Sequence, residues 1–469
     1  MTTPLWTSIT AAAATSGSTT EDWAANGVSI DTRTLNQGDL FIALSGPNFD
    51  GHEFVGAAFD AGAAAALVEQ VDTLNGRPGL VVQDTMSAMC ALGINARERS
   101  AAQIAAITGS VGKTGTKEAL AHVLSAQGNT SFSERNLNNH WGVPLSLARL
   151  QSNAKYGIFE IGMNHPGEIK PLARLVRPHV AVVTAIASAH REFFDSVEAI
   201  AHAKGEIFAS IDGGIAIINR DTEYFSLLSK MAKDAGASSI ISFGQHLDSN
   251  MRLIECIPDG FGSLIKARWQ NELISYQVSQ PGVHWAHNSL AVLATADALG
   301  AEIHSAAKML ATLPPMQGRG AVHVIPWGDG TIKLIDDSYN ASPVSMSAAL
   351  KTLGSLHPCG GRRVAIMGDM LELGDTSRSA HLALKKHIER NDIDTVFLVG
   401  TEITVLTEVL HKSQISATAD TADALLPSVL SGLRAGDIVI IKASNGIGLG
   451  LIVSALTRPA PSPLVSNQG

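Results

Sequence analysis

Short continuous apolar runs recur through the middle of the chain, separated by stretches with helical periodicity. Ile104–Thr108, Gly157–Ile161 and Val180–Ile186 are such runs, and Lys117–Gln127 is one of the helical stretches. Strands with continuous apolar residues are typical of parallel sheets that are covered on both faces. The pattern therefore predicts a parallel α/β sheet in the centre of the chain, with a β-rich flank over Ile240–Gln280.

The N-terminal part has a more irregular pattern. Strand-like runs lie at Leu40–Leu44 and Leu80–Val82, and the Ala-rich stretch Val55–Ala66 is predicted to be a helix. Turn dipeptides such as Asp50-Gly51 separate these elements. We expect residues 1–85 to form a small mixed α/β domain.

A second boundary is predicted at Leu313-Pro314-Pro315, because adjacent prolines stop a helix and make a hinge. Strand and helix then alternate again, which predicts a Rossmann-like, doubly wound domain. Its predicted strands are Ile332–Ile335, Val364–Met367, Val396–Val399 and Ile438–Ile441. The chain is thus predicted to be α/β, with three domains at residues 1–85, 86–313 and 314–469. The Pro- and Ser-rich residues 459–469 are expected to be disordered.

Composition narrows the functional classes. The 469 residues are 45% apolar and 16% charged, and 43 acidic against 34 basic side chains give a net charge of −9. This balance argues against a nucleic-acid binder and against binding to an anionic membrane. The sequence shows no signal peptide, no transmembrane run and only three, widely spaced cysteines. We expect a cytoplasmic protein with free thiols.

The strongest local motif follows the strand Ile104–Thr108. A glycine turn there directs backbone amides at a phosphate, and the next helix adds the positive end of its dipole. Lys113 is suited to the β- and γ-phosphates and the Thr114 hydroxyl to magnesium, although Ile107 replaces the usual first glycine. The predicted ATP loop consists of Thr108, Gly109, Ser110, Val111, Gly112, Lys113, Thr114 and Gly115.

Two polar residues follow the neighbouring strands. Glu160 ends the run Gly157–Ile161, and His190 lies just beyond Val180–Ile186. Ligands of open parallel sheets bind at the carboxyl ends of the strands. A carboxylate and an imidazole beside the Thr114 hydroxyl are a plausible magnesium shell. On its own context, His190 fits a core histidine equally well.

Lys204 lies on the apolar stripe of a helix predicted to run to about Ile211, with Asp195 as its N-cap. A buried lysine is pushed toward its neutral amine. A neutral amine near a metal can bind phosphate, act as a base or take up carbon dioxide as a carbamate. The alternative is a side chain whose stem is buried and whose ammonium reaches water.

Polar clusters also occur at three later points. Asn288 lies near the start of a long Ala-rich helix, Arg319 lies between two glycines at the hinge, and Asp337 follows a predicted strand together with Tyr339 and Asn340. Arginine at that hinge is suited to a phosphate. Each cluster taken alone also fits a solvated loop.

These segments, in this order, resemble the Mur ligases over nearly the whole chain. The resemblance implies that uridine-nucleotide and substrate contacts come from Asp31, Thr32, Arg33, Phe49, Asp50, Gly51, His52, Asn136, Asn138, Asn139, Tyr339 and Asn340. It implies a magnesium site at Thr114, Glu160, His190 and Lys204. Asn288 matches the adenine-side asparagine of the family, Arg319 its phosphate arginine and Asp337 its ribose aspartate. Lys113, Lys204, His190 and Arg319 are thereby the expected catalytic residues.

The segments Asp336–Pro343 and Gly368–Gly374 are similar to those of the family members that add D-alanyl-D-alanine to UDP-N-acetylmuramoyl-tripeptide. The resemblance implies that reaction, with ATP, two magnesium ions and a carbamate on Lys204, in a monomer that binds neither nucleic acid nor membrane. Trp285, Ser342 and Ala443 depart from the pattern of the family.

Three alternatives stay open at this point: a folylpolyglutamate synthase-like amide ligase, an NTPase that works as a switch or motor, and an inactive homologue. The first lacks a uridine-binding domain, the second needs no amino-acid substrate, and the third is disfavoured because every expected catalytic position is filled. The sequence leaves open whether the third peptide residue is diaminopimelate or lysine.

Overall fold

A computed structural model of the chain describes residues 3–46, 49–187, 193–260, 262–358 and 360–458. Contacts between residues divide the chain into two compact units. The first contains Met1–Ile186, Ala201–Arg252 and Leu290–Met309, and the second contains Ala187–Ile200, Leu253–Ser289 and Leu310–Gly469. The tail predicted to be disordered, residues 459–469, lies outside the described residues.

The N-terminal part of the first unit is a small mixed α/β layer. Its elements are β1 (Trp6–Thr7), α1 (Ser8–Thr15), β2 (Ser18–Thr19), β3 (Ala24–Ala25), β4 (Gly27–Ser29), β5 (Asp39–Ile42), β6 (Ser45–Gly46), β7 (Phe49–Asp50), α2 (Val55–Asp60), β8 (Ala65–Val68), β9 (Gly79–Val81) and α3 (Thr85–Arg99). Five of the strands form a sheet in the order β2-β9-β8-β5-β4, in which only β2 and β9 pair antiparallel. Phe41, Val55 and Leu74 belong to the core under this sheet.

The predicted helix Val55–Ala66 is wrong in its second half. The helix ends at Asp60, and Gly62 then takes a left-handed backbone with φ of +100°. Ala65–Val68 instead forms β8, which pairs in parallel with both β5 and β9. The helix preference of alanine is weak, and pairing on both edges of a buried strand outweighs it.

The central part of the first unit is a parallel sheet with helical crossovers. Its elements are β10 (Gln103–Thr108), α4 (Lys113–Ser125), β11 (Thr130–Phe132), α5 (Gly142–Ala148), β12 (Tyr156–Glu160), α6 (Ile169–Val176), β13 (Val180–Val183), α7 (Val197–Gly205), β14 (Ile215–Asn219), α8 (Phe225–Asp234) and β15 (Ser239–Gly244). The six strands lie in the order β11-β12-β10-β13-β14-β15, all parallel. Because β10 lies between β12 and β13, the loops after these three strands meet at one edge.

Two boundaries near that edge differ from the predictions. α4 begins at Lys113, not Lys117, because Gly112 with φ of +87° ends the loop directly before the helix. β13 ends at Val183, three residues before the predicted end of its apolar run. The loop between β10 and α4 is therefore only Gly109 to Gly112.

After β15 the chain continues with β16 (Met251–Asp259), β17 (Gly262–Trp269), β18 (Glu272–Val278), α9 (Val283–Ala298) and α10 (Ile303–Met309). β17 and β18 pair antiparallel over their whole length, as predicted for the β-rich flank. β15, which falls within the same predicted stretch, is instead a strand of the parallel sheet.

The C-terminal part of the second unit is a doubly wound sheet. Its elements are β19 (Ala321–Trp327), β20 (Gly330–Asp336), α11 (Pro343–Ser355), β21 (Arg363–Gly368), α12 (Ser377–Arg390), β22 (Thr395–Val399), β23 (Ile415–Ala419), α13 (Ala422–Gly432), β24 (Ile438–Lys442) and α14 (Gly450–Thr457). The strands lie in the order β19-β20-β24-β21-β22-β23, parallel except for β19. Apolar clusters cover both faces. The ends of β20 and β24 are neighbours, which places Asp336 beside Ile441.

Candidate functional site

The loop Gly109–Gly112 turns tightly between β10 and α4. Gly109 has φ of +152°, and a Cβ atom there would lie 2.0 Å from Oγ1 of Thr184. Gly112 has φ of +87° at the N-cap of α4. No side chain fits the first position and few residues adopt the second, so both glycines are required by the turn. The turn sets the loop against the N-terminus of a 13-residue helix, a geometry suited to a phosphate.

Thr184 and Lys113 hold this loop in place. Thr184 Oγ1 donates to the carbonyl of Val111 at 2.6 Å, and the backbone N–H of Ser110 donates to the carbonyl of Ala185 at 2.7 Å. Lys113 Nζ donates to the carbonyl of Gly109 at 2.7 Å. Thr184 was not among the predicted site residues, because its role depends on the pairing of β13 with β10.

Glu160 lies at the end of β12, where it pairs in register with Ile107 of β10. Its side chain is 1% exposed. Oε1 accepts a hydrogen bond from Asn138 Nδ2 at 2.7 Å, whereas Oε2 is buried and has no partner among the described residues. A buried carboxylate oxygen without a partner is costly unless a ligand satisfies it. A carboxylate oxygen of this kind fits a hard cation such as Mg²⁺, and Thr114, the second residue of α4, carries a hydroxyl that Mg²⁺ also accepts as a ligand.

Lys204 is fully buried on α7, as the apolar stripe predicts, so the alternative that its ammonium reaches water is wrong. Its Nζ has no hydrogen-bond partner in the part of the chain that the structure describes. Burial lowers the pKa of this ammonium well below its ordinary value, and the charge of Lys113 lowers it further. The predicted cap of the helix shifts by one residue: Ser196 Oγ, not Asp195, accepts from the N–H of Ala199.

Lys117 is a second fully buried lysine, one turn after Lys113, and it differs from Lys204 in its partners. Its Nζ donates to the carbonyls of Ser133 at 2.7 Å and Arg135 at 2.9 Å, and lies 2.7 Å from Oε1 of Glu118. It therefore fixes the turn that leads into the asparagine-rich segment. Lys117 was not among the predicted site residues.

A cleft of about 1180 Å³ separates that turn from the N-terminal sheet. Six of the predicted substrate contacts line this cleft: Asp31, Thr32, Arg33, Phe49, Gly51 and Asn136. Asp31 and Arg33 form an ion pair of 2.7 Å, and the hydrogen bond from Arg33 lowers the pKa of the Asp31 carboxyl. The Phe49 ring meets the Trp141 ring edge-on, with 5.6 Å between centroids.

The other predicted contacts of the first unit serve the fold around the cleft. His52 Nε2 accepts from the N–H of Glu69 at 3.0 Å, so Nδ1 carries the proton and donates to Asp50 at 2.7 Å. Asn138 holds Glu160. Asn139 Oδ1 accepts from the N–H of Gly142 at 2.9 Å, at the start of α5.

In the second unit, the hinge arginine and the polar residues after β20 form one cluster. Arg319 is flanked in the sequence by Gly318 and Gly320. Its guanidinium lies over the Tyr339 ring, 4.3 Å from the ring centroid. Asp337 Oδ2 accepts from Lys442 Nζ at 2.7 Å.

Two neighbours of this cluster have mainly structural bonds. Asp336 is 1% exposed, and its carboxylate accepts from the N–H of Gly318 at 2.7 Å and the hydroxyl of Ser338 at 2.6 Å. Asn340 Oδ1 accepts from the N–H of Ala341, and its carbonyl accepts from Lys442 at 2.8 Å. Lys442 was not predicted as a site residue.

Asn288 lies half-buried on the first turns of α9. His190 lies outside the described residues, so its predicted place beside Glu160 stays a prediction. Within the described ranges, no three His, Cys, Asp or Glu side chains group as metal ligands. Across the same ranges, no helix has the length and apolar character needed to cross a membrane.

Comparison with known proteins assigns three segments of the chain to one family. Residues 25–108 match the model of the Mur ligase family, catalytic domain; residues 107–296 match the Mur ligase middle domain; residues 324–445 match the Mur ligase, glutamate ligase domain. The predicted fold class, three α/β domains with parallel sheets, is thereby confirmed. Its exact boundaries, after residues 85 and 313, stay predictions.

Individual relatives match over most of their length. The UDP-N-acetylmuramoyl-tripeptide–D-alanyl-D-alanine ligase of Rickettsia prowazekii is 34% identical over 91% of this chain and 94% of its own. The enzyme of that name from Escherichia coli is 35% identical over 81% of this chain and 82% of its own. A crystal structure of MurF from Acinetobacter baumannii superposes with a TM-score of 0.83 at 30% identity, over 96% of this chain and 98% of that one. MurF ligase from Thermotoga maritima in complex with ADP gives a TM-score of 0.75 at 26% identity, over 92% and 96% of the two chains. The chain belongs to the Mur ligase family.

Proposed function

We propose that this chain is an ATP-dependent ligase that joins D-alanyl-D-alanine to UDP-N-acetylmuramoyl-tripeptide, forming the pentapeptide precursor of peptidoglycan. Relatives that carry this activity in their names match at 34% and 35% identity over most of the chain. The reaction makes an amide bond and consumes one ATP. Its substrates are two peptides and a nucleotide, so it needs neither nucleic acid nor a membrane.

The single observation that carries the proposal is the pair of unsatisfied buried groups beside the phosphate-type loop. Glu160 Oε2 and Lys204 Nζ both lack a partner among the described residues, and the charge of Lys113 acts on Lys204. Evolution rarely retains such groups without a ligand, since each one destabilises the fold. A loop for phosphate, an unpaired carboxylate oxygen and a buried amine with a lowered pKa together suit phosphoryl transfer to a carboxylate better than a simple nucleotide switch.

We assign the residues of the site as follows. The loop Thr108–Gly115 and Lys113 hold the β- and γ-phosphates. Asn288 contacts adenine, Asp337 the ribose and Arg319 the transferred phosphate. The guanidinium of Arg319 is restrained over Tyr339, which favours a fixed direction of approach.

The metal assignment is Thr114, Glu160 and His190, with Lys204 as a carbamate. Bound Mg²⁺ would neutralise negative charge on the phosphates. A neutral Lys204 amine would add to carbon dioxide with release of a proton, and the resulting carboxylate would supply oxygen ligands in addition to those of Glu160 and Thr114. Asn138 keeps Glu160 Oε1 occupied and leaves Oε2 directed to a ligand.

The reaction then has two steps. A carboxylate oxygen of the tripeptide attacks the γ-phosphorus of ATP, the bond to the β-phosphate oxygen breaks, and ADP leaves with an acyl phosphate formed. The neutral amine of D-alanyl-D-alanine attacks the acyl carbon, loses a proton, and phosphate leaves. Lys113 and Arg319 offset the charge where two anions meet. The acyl phosphate must be kept from water, which a movement at the hinge Pro314-Pro315 would achieve.

We also propose three domains, divided after residues 85 and 313, and a cytoplasmic monomer. The first matched family segment ends at residue 108, the second ends at 296 and the third begins at 324, so the matches do not fix these boundaries exactly. Cytoplasmic location is supported by the use of ATP and by the free thiols of Cys90 and Cys256.

The test is phosphate release with ATP, magnesium, UDP-N-acetylmuramoyl-tripeptide and D-alanyl-D-alanine, omitting each in turn. We expect release only in the complete mixture. Release with ATP alone would favour an NTPase switch, and release with a folate and glutamate would favour a folylpolyglutamate-type ligase. Parallel reactions with diaminopimelate and with lysine as the third peptide residue identify the substrate.

A further inference from the structure

Three arginines line the cleft of the first unit, and two of them are already bonded. Arg33 is paired with Asp31 at 2.7 Å. Arg149 donates to Glu134 at 2.9 Å and to the carbonyl of Val28 at 2.6 Å. The Arg135 guanidinium makes no hydrogen bond or ion pair with any residue that the structure describes. It is the arginine of this cleft that remains available to a ligand.

The backbone of Arg135 is held in an unfavourable conformation. Its φ is +49°, in the left-handed region that residues with a Cβ atom avoid. The fully buried Lys117 donates to its carbonyl at 2.9 Å and to the carbonyl of Ser133 at 2.7 Å, which fixes the turn from both sides. Strained residues that persist in a fold are concentrated at binding sites. Here the strain presents a long cationic side chain to the cleft.

Two carboxylates near Arg135 are paired with other arginines, so Arg135 is the cation of this cleft that an anionic ligand would contact. The carboxylates of Asp31 and Glu134 are paired with Arg33 and Arg149. The chain as a whole has a net charge of −9, so an anionic ligand is repelled except where a local cation attracts it.

We propose that Arg135 binds the diphosphate of the nucleotide-linked substrate, with Lys117 as the residue that positions it. The inference rests on the proposed function, whose substrate carries a uridine diphosphate, and on the resemblance, which implies uridine-nucleotide contacts from residues that line this cleft. Guanidinium groups bind phosphate oxygens through charge-assisted hydrogen bonds, and a fixed turn reduces the entropy lost on binding.

Arg135→Gly tests the proposal with little risk to the fold. Glycine adopts φ of +49° without strain, so the substitution removes the cation and keeps the turn. Arg177→Gly is the matched control, because Arg177 has φ of +47° at the end of α6 and does not line the cleft. Both variants lose one arginine side chain from a residue whose backbone is in the left-handed region. Only the first loses a cation of the cleft.

Titration calorimetry would measure the binding of UDP and of uridine to the full chain and both variants. We expect Arg135→Gly to weaken UDP binding by about tenfold to a hundredfold, the usual effect of losing a hydrogen bond to a charged group. Uridine binding should stay unchanged, and Arg177→Gly should match the parent chain with both probes. The UDP affinity of the parent chain should also fall more steeply with salt than that of Arg135→Gly. In the ligase assay, KM for the UDP-tripeptide should rise while KM for ATP does not.

Equal UDP affinity in Arg135→Gly and the parent chain would overturn the role of Arg135 and leave the proposed function intact. An equal loss for UDP and uridine would also overturn it, because the substitution would then have distorted the cleft. A parent chain that binds neither UDP nor the UDP-tripeptide would overturn the proposed substrate and this inference together.

Discussion

Replacing Lys204 with methionine should make the protein more stable and abolish ligation. Lys204 is fully buried and its Nζ has no partner within the described ranges, whereas methionine fills a similar volume without a polar atom. Burial lowers the pKa of the Lys204 ammonium far below 10.5. The folded chain therefore binds a proton at this amine less strongly than the unfolded chain does.

The pH dependence of the effect follows from this difference. Between pH 10.5 and the folded pKa, the unfolded state binds a proton that the native state does not, so stability falls as pH falls. The buried Nζ also has no hydrogen-bond partner among the described residues, and an unsatisfied buried polar group costs about 1–3 kcal/mol. Methionine has no such polar group, so we expect Lys204→Met to stabilise the fold by about 1–3 kcal/mol. The stability advantage of Lys204→Met should grow as pH falls from 10.5 toward the pKa of Lys204 in the folded chain.

Lys117→Met is the matched control, because Lys117 is equally buried but fully hydrogen-bonded. Removing its ammonium leaves the carbonyls of Ser133 and Arg135 unpaired, which should destabilise the fold by about 2–4 kcal/mol. The assay is urea unfolding of the parent chain and both variants from pH 7 to 10, in carbon dioxide-free buffer with a chelator so that Lys204 is unmodified. A Lys204→Met variant that is less stable, or whose advantage does not change with pH, would refute the reasoning. A variant that retained ligation would remove Lys204 from the mechanism.

Two further substitutions test the phosphate loop and the metal assignment. Lys113→Ala should keep the fold and reduce ATP turnover by at least about a hundredfold, because the ammonium that donates to Gly109 is the one assigned to the γ-phosphate. An unchanged rate in the phosphate-release assay would exclude Lys113 from the mechanism. Glu160→Gln should raise the magnesium concentration for half-maximal activity by about tenfold or more, because a neutral amide replaces the carboxylate whose Oε2 is unpaired. An unchanged magnesium dependence would exclude Glu160 as a ligand. Chelation of magnesium should stop the parent enzyme reversibly, and activity that persisted in excess chelator would contradict the metal assignment.

The sequence predicted those features that depend on periodicity along the chain. The spacing of Lys204 on an apolar helical stripe was enough to predict its burial, which the structure confirms. The continuous apolar runs likewise predicted the strands β10, β12, β21 and β22 to within about a residue or two at each end. Both patterns are local, and each follows directly from which face of an element is covered.

Features that depend on contacts distant in the sequence were not predicted. Thr184 holds the phosphate-type loop only because β13 pairs with β10, and Lys117 is satisfied by carbonyls at Ser133 and Arg135. The error at Val55–Ala66 has the same origin, since pairing with β5 and β9 converts an Ala-rich segment into a strand. β19, the antiparallel edge of the last sheet, was missed because proline and polar residues interrupt its apolar pattern.

The central claim is that the loop Gly109–Thr114 passes one phosphate from ATP to a carboxylate. The most direct test is ligation of UDP-N-acetylmuramoyl-tripeptide that carries ¹⁸O in both oxygens of its terminal carboxylate. If an acyl phosphate forms, one labelled oxygen leaves with each phosphate, and mass spectrometry should find a single ¹⁸O in the released phosphate. Phosphate released without ¹⁸O during ligation would contradict the account, because no carboxylate oxygen would then have been bonded to the transferred phosphorus.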